Sequence, residues 1–345
     1  MPKVELESNG TRTRQGGHLS RRSALVTAGA AAMALMAPPA WSREEAPWPS
    51  KPMRLIVPAP AGGISDTMAR LIAEQMTSRL KQPAIVENLP GGSGVIGCRA
   101  VLSAPADGHT MLVITSSILV EVPHVVKLPY EPTKDFVQVA DMVRMPLVLV
   151  GNAAFPAQAY AELIRVLKDN PGKYSVASYS MGTRAHYAAV AFNHQAGVDL
   201  LHVPYKGSPP AVADLLAGHV PLAFEALPNV IQHIRSGKLR AYAILGPDRL
   251  DILPGVPSFA EHGLSDLTLG GWQGVWLPSA TPEPLTKRIH EEVVKAFESS
   301  RARQQLAGQG YEFSPPATLA QQRKEFVDAF ERNAKIVKTF AIQAG

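Results

Sequence analysis

Short apolar runs ending in proline or glycine alternate along this chain with segments of helical hydrophobic period. That alternation constrains the fold more than any other feature. Residues 53–57 form an apolar run that stops at Pro58 and read as a buried strand. With Ser65 or Asp66 as its cap, a helix follows that carries Met68, Leu71, Ile72, Met76 and Leu80 on one face. Residues 84–87 are a second strand, a glycine loop leads into a helix through Val101 and Leu102, and residues 111–115 are a third strand. A β-α-β-α-β order predicts a parallel sheet covered by helices. The pattern begins again after the strand at 147–150, with helices near 159–167, after Gly182 and at 211–216, and strands at 174–177, 200–204, 221–225 and 239–245. Residues 275–278 read as the segment that returns the chain to the first unit, and 282–299 and 318–338 as long amphipathic helices. Two α/β units joined by crossing strands leave a cleft, and clefts between domains are favoured ligand sites.

The 345 residues suit roughly two domains of about 150 residues each. A single cysteine, Cys98, excludes an intrachain disulfide framework and a cysteine-rich zinc site; it reads as a small buried residue at a helix start. The net charge of +5 is concentrated at the N-terminus. Residues 1–42 hold five basic and two acidic side chains, and the remainder is nearly balanced at 29 against 27, with no dense basic patch for nucleic acid. Arg21-Arg22 precede an apolar stretch of 14 residues, Ala24 to Ala37, which is shorter than the ~20 residues a membrane span needs. Ala40-Trp41-Ser42 then places small residues at the −3 and −1 positions of a cut after Ser42. These features describe a secretory signal over 1–42, and Ser20–Leu25 resembles a twin-arginine signature with Ala24 where Phe is preferred. The mature chain is therefore expected in the periplasm, with no later membrane span.

Three glycine-bearing strand-to-helix junctions are candidates for chemistry. In 58–66, Gly62 and Gly63 precede a helix whose free N–H groups and positive dipole end suit a carboxylate or phosphate; the plain alternative is a tight turn capped by Asp66. In 178–186 the same layout recurs, with hydroxyls on Ser178, Ser180 and Thr183 around Met181 and Gly182. Two matched helix starts facing one cleft can clamp a small anion. The third junction, 92–97, matches G-x-G-x-x-G, but it follows the second strand, and Thr115-Ser116-Ser117 stand where a dinucleotide site wants an acidic residue. No G-x-S-x-G and no His-x-x-x-His with a flanking acid occurs, so hydrolase and metal chemistry find no support in spacing. His186 on a helix face reads as structural before it reads as a base. Tyr205, at a strand end, offers a hydroxyl and a ring face. Glu225, at another, offers a carboxylate that either receives an ammonium or caps the helix of Asn229.

These blocks, taken in order, resemble a known family. Trp48–Arg54 with the Pro-x-Gly-Gly-x-x-Asp loop ending at Asp66 is followed by Val86-Glu87-Asn88 with Pro90-Gly91, and by Ala106–Thr110. Tyr130-Glu131-Pro132 with Lys134-Asp135-Phe136, Gly182-Thr183 with His186, and His202–Gly207 complete the series. The mature chain resembles the substrate-binding proteins of tripartite tricarboxylate transporters, the Bug family, over nearly all of 48–340. The resemblance implies a type II periplasmic-binding fold: two α/β lobes, 43–147 plus 272–345 and 148–271, closing on a small organic carboxylate. It implies a binding module without catalytic residues, cofactor or metal, working with membrane permease subunits. It also implies ligand contact from the Gly62-Gly63 loop, the Ser180–Thr183 loop, the strand end Thr115-Ser116-Ser117 and the acidic position Glu225. Ala59 stands where the family often has an aromatic residue, Glu225 where Asp is usual, and Arg184 where a small polar residue is common, so an altered pocket is expected. Two other readings stay open at this point: an exported nucleotide-cofactor oxidoreductase, on the strength of the twin-arginine-like leader and the 92–97 loop, and a solute-binding sensor subunit.

Overall fold

A parallel ladder forms as soon as the described chain begins. The computed structural model describes residues 48–264, 270–298, 304, 306 and 308–343, so the export signal read in 1–42 lies outside the described residues. β1 (Met53–Val57) pairs in parallel with β2 (Ala84–Asn88) and with β3 (Thr110–Thr115), and the connections are α1 (Ile64–Leu80) and α2 (Val95–Leu102). Met53, Leu55, Ile56 and Val57 are all fully buried, as a strand covered on both faces requires. β4 (Phe136–Arg144) follows, and after Met145-Pro146 the chain enters a second sheet through β5 (Leu147–Asn152).

That sheet is built by β5 with β6 (Ser175–Ser178), β7 (Leu201–Pro204), β8 (Leu222–Ala226) and β9 (Leu239–Leu245), in the order β7-β6-β8-β5-β9. Its helices are α3 (Tyr160–Lys168), α4 (Arg184–Ala196), α5 (Ser208–Ala217) and α6 (Leu227–Arg235). β10 (Trp272–Pro278) returns to the first sheet and lies antiparallel between β3 and β4. α7 (Glu283–Phe297), β11 (Glu312–Phe313) and α8 (Leu319–Phe340) complete it, giving the order β11-β4-β10-β3-β1-β2. Each sheet has apolar clusters on both faces, such as Met68, Met111 and Val275 against Leu112, Trp272 and Trp276 in the first.

Local sequence explains half of these helix starts. α5, α6 and α7 carry proline in the first turn, where the missing N–H is not needed. α8 starts with a capping box: Gln321 N donates to the Thr318 hydroxyl, and Thr318 N donates to the Gln321 side chain. α1 departs from expectation. Its N-cap is Gly63, not Ser65 or Asp66, and no side chain caps it. Cys98 lies inside α2 rather than at its start, fully buried.

Candidate ligand-binding site

A cavity of about 350 Å³ opens between the two sheets. At ~30 Å³ per water it holds roughly a dozen water-sized groups. The starts of five helices face it: α1 through Gly63–Ser65, α2 through Gly94, α4 through Arg184, α5 through Gly207 and Ser208, and α6 through Ala226 and Asn229. The first N–H groups of a helix have no intrahelical acceptor, and the peptide dipoles add a partial positive charge at that end. Prolines 209, 210 and 228 remove donors from α5 and α6, and Leu227 N donates to Pro146 O. The open N–H groups therefore belong to α1, α2 and α4, where the Arg184 N–H already meets the buried Glu121 carboxyl, and α5 and α6 contribute mainly their dipoles. Among the described residues the cavity wall carries two cationic side chains, Arg184 and Lys206, and no carboxylate.

The α1 and α4 starts share one geometry. Gly62 and Gly182 have φ of +81° and +74°, open to glycine without strain. Each is followed by an extended N-cap, Gly63 (φ −82°, ψ 174°) or Thr183 (φ −85°, ψ 170°). Each glycine N–H donates to a side chain four residues on: Gly62 to Asp66 Oδ2 at 2.9 Å, Gly182 to His186 Nδ1 at 3.1 Å. Asp66 is thus a brace for the loop, tied also to Arg70. Burial pushes its carboxyl up, but hydrogen bonds from Arg70, Gly62 and Asn88 outweigh this and hold it below the ordinary carboxylate range. Burial pushes His186 down to about 4 and His202, stacked 4.2 Å from it, down to about 3. A neutral His186 can accept from Gly182.

Six of the residues expected at the site stand on the cavity wall: Ala59, Gly63, Thr115, Ser180, Met181 and Tyr205. The other nine do not line it. Gly62, Asp66, Gly182 and His186 form the two braces just described. Ser178 Oγ lies 2.7 Å from His202 Nε2 and donates to Ser180 O, to which Thr183 Oγ1 also donates at 2.7 Å; both shape the loop behind Ser180 and Met181. Ser116 is exchanged with the returning strand, donating from its N–H to Trp272 O and accepting Trp272 N–H on Oγ. Ser117 is fully buried, with its hydroxyl beside the Glu121 carboxyl and the Tyr179 hydroxyl. The Tyr205 hydroxyl donates to Asp214 at 2.7 Å, so its ring rather than its OH faces the cavity.

Glu225 is fully buried behind the wall. Its Oε2 accepts from Ser208 Oγ, Ala226 N and Asn229 Nδ2 at 2.9–3.0 Å. One carboxylate oxygen thereby ties the starts of α5 and α6 together, and these three partners, not Glu225, line the cavity. Burial pushes its carboxyl up to about 7 against the pull of those donors.

The wall also includes residues that sequence reasoning passed over. Ser65 Oγ donates to Gln273 Oε1 at 3.1 Å, and both face the cavity. Gln273 arrives because β10 pairs it with Thr115, which nothing local in the sequence signals. The 92–94 turn, matched above to a dinucleotide fingerprint, also lines the wall. Gly97 lets α2 sit on Pro58: a Cβ there would be 2.6 Å from the proline ring.

Residues 68–342 match the tripartite tricarboxylate transporter family receptor, and the chain belongs to that family. It is 36% identical to protein BugT of Bordetella pertussis over 294 residues, covering 84% of this chain and 90% of BugT. It is similar to the structure of the periplasmic binding protein BugD (30% identity, TM-score 0.79, covering 86% of this chain and 99% of BugD). Two further similar structures, both from Rhodopseudomonas palustris, hold ligands. One is MatC with bound malate (29% identity, TM-score 0.79, 84% of this chain and 100% of that chain). The other is Rpa4515 with adipate (28% identity, TM-score 0.80, 86% and 99%). The fold is the two-lobe α/β fold of these periplasmic binding proteins.

Proposed function

We propose that this protein is a periplasmic solute-binding protein that captures a small organic carboxylate in the cavity between its lobes and delivers it to the membrane permease of a tripartite tricarboxylate-type transporter. The observation that carries this reading is the convergence of five helix starts on one cavity whose wall bears cations and no carboxylate. Each helix end favours an anion by about 0.3–1 kcal/mol, more where water is excluded. Malate and adipate in the two similar structures agree with an organic acid as ligand. Residues 1–42 direct export. Among the described residues no helix is long and apolar enough to cross a membrane. Lobe 1 comprises 43–147 and 272–345, and lobe 2 comprises 148–271. Gly63, Thr115, Ser180, Met181, Tyr205 and Ala59 touch the ligand, and the remaining nine residues hold them in place. The protein binds and releases; it performs no chemistry on the ligand.

A thermal-shift screen against mono-, di- and tricarboxylates, aromatic acids and amino acids tests this. A ligand at 100 times its dissociation constant adds about 2.7 kcal/mol of stability, a shift of several degrees. A carboxylate hit is expected. A screen in which no carboxylate shifts the melting temperature overturns the reading.

A further inference from the structure

The cavity wall offers polar contact at one end and apolar contact over much of the rest. α1 brings Ile64 and Ser65 to the wall, and first-turn N–H groups have no intrahelical acceptor. α2 reaches the wall through Gly94, whose N–H already donates to Gly91 O at 3.0 Å. α4 reaches it through Arg184. The Arg184 N–H meets the Glu121 carboxyl, which is 1% exposed and follows the turn Ser117–Val120. The guanidinium is drawn to the same carboxyl, and its Nη2 donates to Met145 O at 3.0 Å. The start of α4 is thus filled by a carboxyl of the protein's own. A ligand carboxylate has its place at the start of α1, where Gln273 accepts from Ser65 and stands paired with Thr115.

Other polar side chains of the wall are spent behind it. Tyr205 OH donates to Asp214, and Ser208 Oγ and Asn229 Nδ2 donate to Glu225. The Lys206 ammonium is exposed, so water and salt screen it. Among the described residues five prolines, Pro58, Pro60, Pro90, Pro204 and Pro209, line the cavity with the Tyr205 ring. A proline ring carries no N–H and cannot turn away. Pro58 sits on Gly97, and Pro60 on Gly207, so closely that a Cβ on either glycine would be 2.6 Å from the ring. Walls of this kind keep their spacing without a ligand. An apolar cavity of about 150 Å³ holds a benzene molecule. The 350 Å³ here is more than twice that, room for a carboxylate and two fused rings.

We propose that this cavity is shaped for an aromatic monocarboxylate, with the carboxylate on the Ile64 and Ser65 N–H groups and the ring between the proline faces and Tyr205. This rests on the solute-binding reading above and names the ligand class for that same cavity. Tyr205 is then a specificity-determining residue, through its ring.

Calorimetric titration with acetate, benzoate, 2-naphthoate, terephthalate and succinate tests this. Benzoate is expected to bind at least tenfold more tightly than acetate, and 2-naphthoate, by its second ring, about tenfold more tightly than benzoate. The heat-capacity change should be more negative for 2-naphthoate than for benzoate. Terephthalate adds a second carboxylate to the ring of benzoate and should bind more weakly, because Glu121 already fills the start of α4. Tyr205→Ser should cut the preference for 2-naphthoate over acetate tenfold or more, and Tyr205→Phe should recover it. Ring acids that bind no more tightly than acetate overturn the proposal with no variant needed. So does terephthalate bound tenfold more tightly than benzoate, or succinate bound where the ring acids are not; in each of these cases the solute-binding reading stands. A Tyr205→Ser protein that keeps the full preference overturns it as well. If no acid binds in this series or in the wider screen, the solute-binding reading itself falls.

Discussion

Replacing Gly207 by alanine should cripple ligand binding through one contact. Gly207 is the N-cap of α5, with φ +120° and ψ 167°, a conformation almost confined to glycine. It faces Pro60 of the opposite lobe: a Cβ there would lie 2.6 Å from Pro60 Cδ and 2.8 Å from Cγ. The proline ring cannot rotate away, so the lobes must part by about 1 Å to reach ordinary contact. Alanine therefore carries two costs. The backbone cost, about 1–3 kcal/mol, acts whether the lobes are open or closed, and lowers stability without altering affinity. The contact cost acts only when Pro60 faces residue 207. Overpacking of this kind costs about 1–3 kcal/mol, which raises Kd roughly 5- to 150-fold. Gly237→Ala separates the two, because Gly237 also has a positive φ, +73°, lies off the cavity wall, and a Cβ there meets nothing within 4 Å. Calorimetric titration of a carboxylate ligand, beside urea unfolding of both variants, reads affinity and stability independently. A Gly207→Ala protein that binds as tightly as wild type, or a Gly237→Ala protein that binds as weakly as Gly207→Ala, refutes the contact between Gly207 and Pro60 as the cause.

Other expectations follow from the buried polar groups. His186, held down to about 4 against an ordinary 6.5, is neutral in the folded protein, so the unfolded chain gains its proton first as the pH falls. Its contribution is complete above pH 6.5 and is lost down to pH 4, about 2 kcal/mol of it by pH 5. Urea midpoints measured against pH for wild type and His186→Asn should differ in slope over that window, and parallel slopes would count against a neutral His186. The Cys98 thiol, fully buried and pushed up to about 12 by burial, should resist a thiol reagent at pH 8 in native protein and react on unfolding. Tyr187→Phe removes a buried hydrogen bond to Glu121 O and should cost about 1 kcal/mol in chemical denaturation.

Much of this molecule was legible before any coordinates. Period-two and period-3.6 patterns report local burial, so the strands at 53–57 and 239–245 and the helices of 64–80 and 319–340 emerge close to their observed limits. The two glycine junctions were also legible as helix starts, and both border the cavity. The role of each residue within them was not. Gly62 and Gly182 read as amides free for a ligand, yet each is spent on a side chain one turn on. Glu225 reads equally well as a ligand group or a cap; only its burial and three donors show which groups it serves.

What the sequence determined by itself is the set of elements and the chemistry at their ends, because hydrophobic period, proline and glycine act over a few residues. What the tertiary structure decided is which of those ends meet. Gln273 reaches Ser65 across 208 positions of sequence because β10 returns antiparallel beside β3. Arg184 faces the cavity from between two chain crossings 126 positions apart, at Met145 and Gly271. Such neighbours are set by sheet order and by the closeness of two lobes, and those depend on the packing of the whole chain rather than on any window within it.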